Sequence, residues 1–156
     1  MADILIAVDN SKNSMRAVKY VAKTFKPTGT VTILTVLPDI AGACELNGPS
    51  LVPTFKKAQE AFCDLEVVKR IDMKDFMDKA KAVLVENGFA SKDVSIRIRK
   101  KRFGIARDIL REAKKHHFDT IVVGRRGLSA VKEYMFGSIS HKVVQSATNT
   151  PVIVVD

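Results

Sequence analysis

The 156-residue chain has no tryptophan, two cysteines and five prolines, and only 6% of it is aromatic. So few cysteines exclude a disulfide-dense secreted scaffold. Cys44 and Cys63 lie too far apart for a C-x-x-C motif. They read as buried or incidental thiols of a reduced, cytosolic protein. No apolar run approaches the roughly 20 residues of a membrane span. The start, Met1-Ala2-Asp3, lacks the basic residues that open a signal peptide. The expected setting is therefore the cytoplasm, with no membrane partner. His116 and His117 are adjacent and point to different sides of a helix, while His141 stands apart. With no H-x-x-x-H or Cys/His spacing, a zinc site is excluded. No paired carboxylates or nucleophile–base pair stand out, which argues against a fast enzyme. Negative charge is also short, with 17 acidic against 26 basic side chains and a net charge of +9. That excess favours anionic partners.

What the chain does have is alternation of strand and helix patterns. Ile4 to Val8 is a continuous apolar run ended by Asp9-Asn10-Ser11. Val31 to Leu37 is a second run, stopped by Pro38. Continuous runs suit parallel strands covered on both faces. Val94, Ile96 and Ile98 alternate with Ser95, Arg97 and Arg99, which predicts a third strand at a sheet edge. Thr120 to Val123 and Pro151 to Val155 complete a set of five. Between them, Met15, Val18, Ala22 and Phe25 mark one helix, Ile105, Ala106, Ile109, Leu110 and Ala113 another, and Ile139, Val143, Val144 and Ala147 a third. Pro38 to Pro53 reads as a loop. A helical pattern then runs from Phe55 to Val83, closed by Asn87-Gly88. One helix over 54–87 would be about 50 Å long, so a break is expected near Val67 to Asp72. The sum is an α/β fold of one domain, 1–156: a five-stranded, mostly parallel, Rossmann-like sheet with helices on both faces.

The most informative stretch is Ile121 to Val144, IVVGRRGLSAVKEYMFGSISHKVV. A buried strand ends at Gly124; Gly127 follows after two residues, and Gly137-Ser138 after nine more. Ser138 is the N-cap candidate for the helix that follows. A glycine turn beside a helix N-terminus suits an anion, because glycines admit close backbone approach and the free N–H groups point at the ligand. No Gly-Lys-Ser/Thr follows, so this is not a Walker A loop. S-G-G-x-D-S and H-x-G-H, the marks of two other nucleotide-using folds, are absent too.

The spacing G-x2-G-x9-G-S resembles the nucleotide-binding signature of the universal stress protein family, in its ATP-binding branch. The resemblance extends along most of the chain, through ILIAVDNS, VTILTVLP, ARDILREAKKHHFDTIVVGRRG and TPVIVVD. It implies the strand order 3-2-1-4-5. It also implies ATP held against Val8, Asp9, Val36, Val123, Gly124, Arg126, Gly127, Gly137, Ser138, Ile139 and Ser140. Asp9 would take the ribose hydroxyls, the Val36 backbone would lie against adenine, and Gly127, Gly137, Ser138 and Ser140 would hold the phosphates. A divalent cation, Mg or Mn, would come with the phosphates. A side chain at Gly127 would enter the phosphate space and resist a positive φ. The arginines inside the turn, Arg125 and Arg126, are candidates to neutralise phosphate charge. Asn10 stands where the family often has glycine, and 38–53 follows no family pattern.

These readings make the chain a nucleotide-responsive binding module. The alternatives are a slow ATPase or phosphotransfer protein and a nucleotide-free dimer acting through protein contacts. The cluster Arg97, Arg99, Lys100, Lys101 and Arg102 reads as a solvated basic face rather than a nucleic-acid footprint, since Phe103 is its one aromatic neighbour. The apolar segment 151–155 comes last and has no charge to blunt a sheet edge. It is expected to pair with a second copy, either Val152 and Val154 or Ile153 and Val155 facing outward. The family resemblance implies such a homodimer as well.

Overall fold

A computed structural model describes residues 1–39, 44, 53–127 and 136–156. Five strands form one sheet: β1 (Ile4–Ala7), β2 (Val31–Leu37), β3 (Val94–Lys100), β4 (Thr120–Gly124) and β5 (Val152–Val155). Their order is β3-β2-β1-β4-β5, and every pairing is parallel. The helices are α1 (Lys12–Thr24), α2 (Pro53–Glu86), α3 (Ile105–Lys115) and α4 (Ser138–Ser146), with a short 3-10 turn at Ser91–Asp93. The α/β class and the strand order agree with expectation.

Successive strand residues point to opposite faces, so the apolar runs feed two cores. On one face Ile4, Ile6, Ile33 and Val122 pack with Val18 and Val21 of α1 and Met77 and Leu84 of α2. On the other, Leu5, Leu34, Val36 and Ile121 pack with Ile109 and Ala113 of α3 and Val143 of α4. Each fully buried aliphatic side chain of this kind contributes roughly 1.5–3 kcal/mol. β3 is one edge, and its outer end shows it: Val94 is buried while Ile98 is exposed.

Three expectations need correction. α2 has no break near Val67 to Asp72; it is one helix of 34 residues. No proline or glycine interrupts 54–87, and only its second half packs on the sheet, through Met73, Phe76, Met77, Ala80 and Leu84. Its length is therefore not limited by the domain's width. Cys44 and Cys63 are not free thiols but a disulfide, with a Cα–Cα distance of 6.0 Å. The inference from unpaired thiols to a reducing compartment loses its premise. At β5, neither side-chain pair forms a separate outward face: Ile153 and Val155 pack, partly buried, on the α1/α2 core and Val152 and Val154 likewise on the α3/α4 core. Among the described residues, what β5 leaves open is its backbone edge, since β4 is its one neighbour in the sheet there. The loop expected over Pro38 to Pro53 falls, from 40 to 43 and 45 to 52, outside the described residues.

Candidate functional site at the carboxyl ends of β1 and β4

Parallel pairing of β1 with β4 puts Ala7 opposite Val123. The residues that follow each strand therefore emerge side by side. β1 pairs with β2 on its other side, so strand order reverses here, where α/β sheets bind ligands. Val8 is buried and its N–H donates to Leu34 O at 2.8 Å, which holds the chain extended up to Asp9. Ser11 then caps α1, its hydroxyl accepting from Ser14 N at 3.1 Å. Capping the helix is thus not the task of Asp9. The Asp9 carboxylate instead accepts from the Ser14 hydroxyl at 2.6 Å, while Asp9 N donates to the same oxygen at 2.9 Å. Sequence reasoning missed Ser14. Its signal was the serine pair three apart at a helix start, the spacing of a capping box.

The glycine turn meets this carboxylate. A Cβ placed on Gly127 would run into Asp9 Oδ2. A Cβ on Gly124 would lie 2.9 Å from the backbone of Asn13, and one on Gly137 would lie 3.2 Å from Arg126 Cα. All three glycines answer to close approach. Positive φ is not the reason, because the described glycines with positive φ are Gly88 and Gly104. The turn is stitched to its neighbours: Arg125 N donates to Val155 O at 2.6 Å, and Gly137 N to Arg125 O at 2.8 Å.

α4 starts one residue earlier than expected. Gly137, not Ser138, is its N-cap, and Gly137 supplies no side-chain cap. The first helical bond runs from His141 N to Gly137 O at 2.9 Å. The N–H groups of Ser138, Ile139 and Ser140 thus have no intrahelical acceptor, and the positive end of the helix dipole lies with them. Ser138 is exposed, whereas Ser140 is buried and its hydroxyl contacts Arg125 O at 2.7 Å and Gly137 O at 3.0 Å. The Ser140 side chain therefore fixes the turn against the helix. Of the two arginines, Arg125 places Nε 2.8 Å from Asp156 Oδ1. Arg126 Nε is buried without a hydrogen-bond partner among the described residues. Val36 and Val123 are buried in the strands that floor the crevice, and Ile139 packs on the α3/α4 core.

A cavity of about 280 Å³ lies instead at the amino ends of the strands, lined by Thr30, Thr32, Ser95, Arg97 and His116 among others. Another of about 170 Å³ lies beside Asn10, Asp72 and Lys79. Neither contains the glycines. The chemistry favours the crevice, where backbone donors, a carboxylate and close-packed glycines converge. Among the described residues there is no cluster of three metal-ligating side chains. The basic cluster of β3 is partly neutralised from within. Glu112, 8% exposed at its side chain, sits 2.8 Å from Arg97 Nη1 and 3.0 Å from Arg99 Nη2.

The sequence model of the Universal stress protein family matches residues 1–156. The chain belongs to the universal stress protein family. Universal stress protein YxiE of Bacillus subtilis (strain 168) is 52% identical over 50 residues, or 32% of this chain and 33% of that protein. The match thus spans about a third of the length of this curated universal stress protein. Among solved structures, hypothetical protein MJ0577 superposes with a TM-score of 0.72 at 25% identity, over 99% of this chain and 94% of that one. The universal stress protein from Archaeoglobus fulgidus in complex with dAMP gives 0.65 at 18%, over 100% and 98%. The shared universal stress protein fold has the same five-stranded parallel sheet, and at least one neighbour holds a nucleotide. Among the described residues no helix is long and apolar enough to cross a membrane.

Proposed function

We propose that the chain binds ATP in the crevice between β1 and β4 and acts as a nucleotide-responsive module in the stress response. The observation that carries this is the N-terminus of α4, which has no side-chain cap among the described residues, beside Gly127, with the Asp9 carboxylate against the same glycine. The donor N–H groups of Ser138, Ile139 and Ser140 suit phosphate oxygens, and Arg126 supplies positive charge. Asp9, held by Ser14, suits ribose hydroxyls. Adenine would lie toward β2, against the Val36 backbone. A Mg or Mn ion would arrive with the phosphates, because the described residues offer no cluster to bind it alone. The dAMP complex of the Archaeoglobus protein supports an adenine nucleotide at this fold. A homodimer through the open edge of β5 belongs to the same proposal.

Titration calorimetry tests it. Mg-ATP should bind with a micromolar dissociation constant, about −8 kcal/mol. Gly127→Val should abolish binding, since its Cβ displaces Asp9 and its methyls fill the phosphate space. Unchanged binding in that variant overturns the cradle. AMP titrated alongside shows how much the outer phosphates add.

A further inference from the structure

From the sequence, Arg97 to Arg102 reads as a solvated basic face. The structure enlarges that face and gives it an aromatic platform. Residues 97–117 hold nine of the chain's 26 basic side chains and two of its 17 acidic ones, and so seven of its nine net positive charges. Both acids are turned to internal contacts. Glu112 holds Arg97 and Arg99 against α3. Asp108 accepts from the backbone N–H groups of Arg102, at 2.8 Å, and Phe103, at 3.2 Å, which fastens the turn after β3 to the start of α3. Lys101 N donates to Leu37 O at 2.7 Å, so the chain is still extended there. Lys101 is next in the alternation after Arg97 and Arg99 and falls on the α3 side of the sheet. On α3 itself, Arg107, Arg111 and Lys114 recur at i, i+4 and i+7 as one exposed stripe. Among the described residues, Lys101, Arg102, Arg107, Arg111 and Lys114 enter no ion pair. Phe103 joins the two rows. It is 54% exposed, with the Arg111 guanidinium over its ring at 4.2 Å from the centroid.

We propose that this face binds single-stranded nucleic acid, its phosphates along Lys101, Arg102, Arg107, Arg111 and Lys114 and one base stacked on Phe103. Unpaired cations on two neighbouring elements, with an open aromatic ring where they meet, are the parts that sequence-independent single-strand binders use. Arg111 occupies one side of the ring, and a base takes the other. Guanidinium groups also match phosphate oxygens better than ammonium groups do, and three of the five cations are arginines. An acidic membrane surface fits less well, because the outward stripe of α3 offers it charge but no row of apolar side chains to insert. An acidic protein segment would answer the charge and leave the ring unused. A duplex keeps its bases stacked on one another, which leaves a single strand as the polyanion that uses both features. The face includes no residue of the nucleotide crevice, so it stands whether or not ATP binds there.

Fluorescence anisotropy tests it, with the full-length protein and a labelled oligothymidylate of about 12 nucleotides, in salt from about 50 to 200 mM. Binding should saturate and weaken with salt, and five phosphate contacts give a slope of log K against log salt of about −3.5. Arg107→Ala and Lys114→Ala, both at exposed positions, should each flatten that slope by about 0.7. Phe103→Leu should leave the slope alone and weaken binding about tenfold, the loss of one stacked base. A duplex of the same length should bind less tightly and be indifferent to Phe103→Leu. Circular dichroism checks that each variant keeps its helix content. No binding at the lowest salt overturns the proposal, as does an affinity for the single strand that Phe103→Leu leaves unchanged. An oligoglutamate of equal charge that binds as tightly as the oligonucleotide overturns it in favour of an acidic protein. Binding to phosphatidylserine vesicles without binding to the oligonucleotide overturns it in favour of a membrane surface. Displacement of the oligonucleotide by an equal concentration of Mg-ATP would put the strand in the crevice, and overturns it too.

Discussion

Glu112 shows how one residue organises a surface that composition alone describes poorly. It is buried on α3, yet it gathers Arg97, Arg99 and, at 3.4 Å, His116. Burial pushes its carboxyl pKa up, but hydrogen bonds from Arg99 and Arg97 and the charges of Arg99 and His116 outweigh this, so the net direction is down. An unfolded glutamate titrates near 4.3. The folded carboxylate therefore stabilises the protein above that pH, and the stabilisation drains away as pH falls through the lower folded value. Glu112→Gln should cost about 1–3 kcal/mol at neutral pH, toward the low end because the arginines are partly exposed. Urea melts from pH 7 to 3 should show a flatter acid limb for the variant. Equal acid limbs would mean that the pairing adds nothing. At the crevice, Ser14→Ala removes the 2.6 Å hydrogen bond to Asp9. One such bond is worth about 1 kcal/mol, so nucleotide affinity should fall about fivefold. Calorimetry showing no change would detach Ser14 from the site.

At the scale of elements, strands were more legible than helix ends. Val31–Leu37 was read to the residue because Gly29 and Pro38 bracket an apolar run. The edge position of β3 was legible from the alternation of Ile96 and Ile98 with arginines. α2 was misread because its length was weighed against the domain's width, when the decisive fact was the lack of any helix breaker. The contact of Gly127 with Asp9 was legible only as a consequence of parallel topology, since 118 positions separate them in sequence. The disulfide was not legible at all. Cys44 and Cys63 lie 19 residues apart, and nothing in that spacing shows the two coming within bonding reach. Closing a loop of that size stabilises by about 3 kcal/mol through the unfolded chain. Reduction, or Cys63→Ser, should therefore lower Tm by roughly 6–12 °C, at about 2–4 °C per kcal/mol for a chain of this length. Thermal melts with and without a dithiol reductant measure this, and coincident melts would show that the bridge constrains nothing in the unfolded state.

For the whole molecule, the two sheet edges differ in kind. β3 carries Arg97, Arg99 and Lys100, and charge of this sort keeps an edge from pairing with another chain. β5 carries four aliphatic residues, each partly buried on one or other core, and among the described residues its outer backbone groups have no neighbouring strand. Two copies pairing β5 edge to edge would satisfy those groups and extend both cores at once. The expected result is an assembly held by backbone ladders, in which side chains matter by filling the seam. Val154→Lys keeps the backbone donors but places a charge among aliphatic neighbours at the edge. It should halve the molar mass measured by light scattering and leave the fold in place, since only the outermost strand is disturbed. Nucleotide affinity should change little, because β5 meets the crevice through its backbone, alongside Val123 and Gly124 and where Val155 O receives Arg125 N, and the substitution keeps that backbone. If Val154→Lys keeps the wild-type mass while circular dichroism shows it folded, β5 is not the contact between copies, and its open edge is closed in some other way.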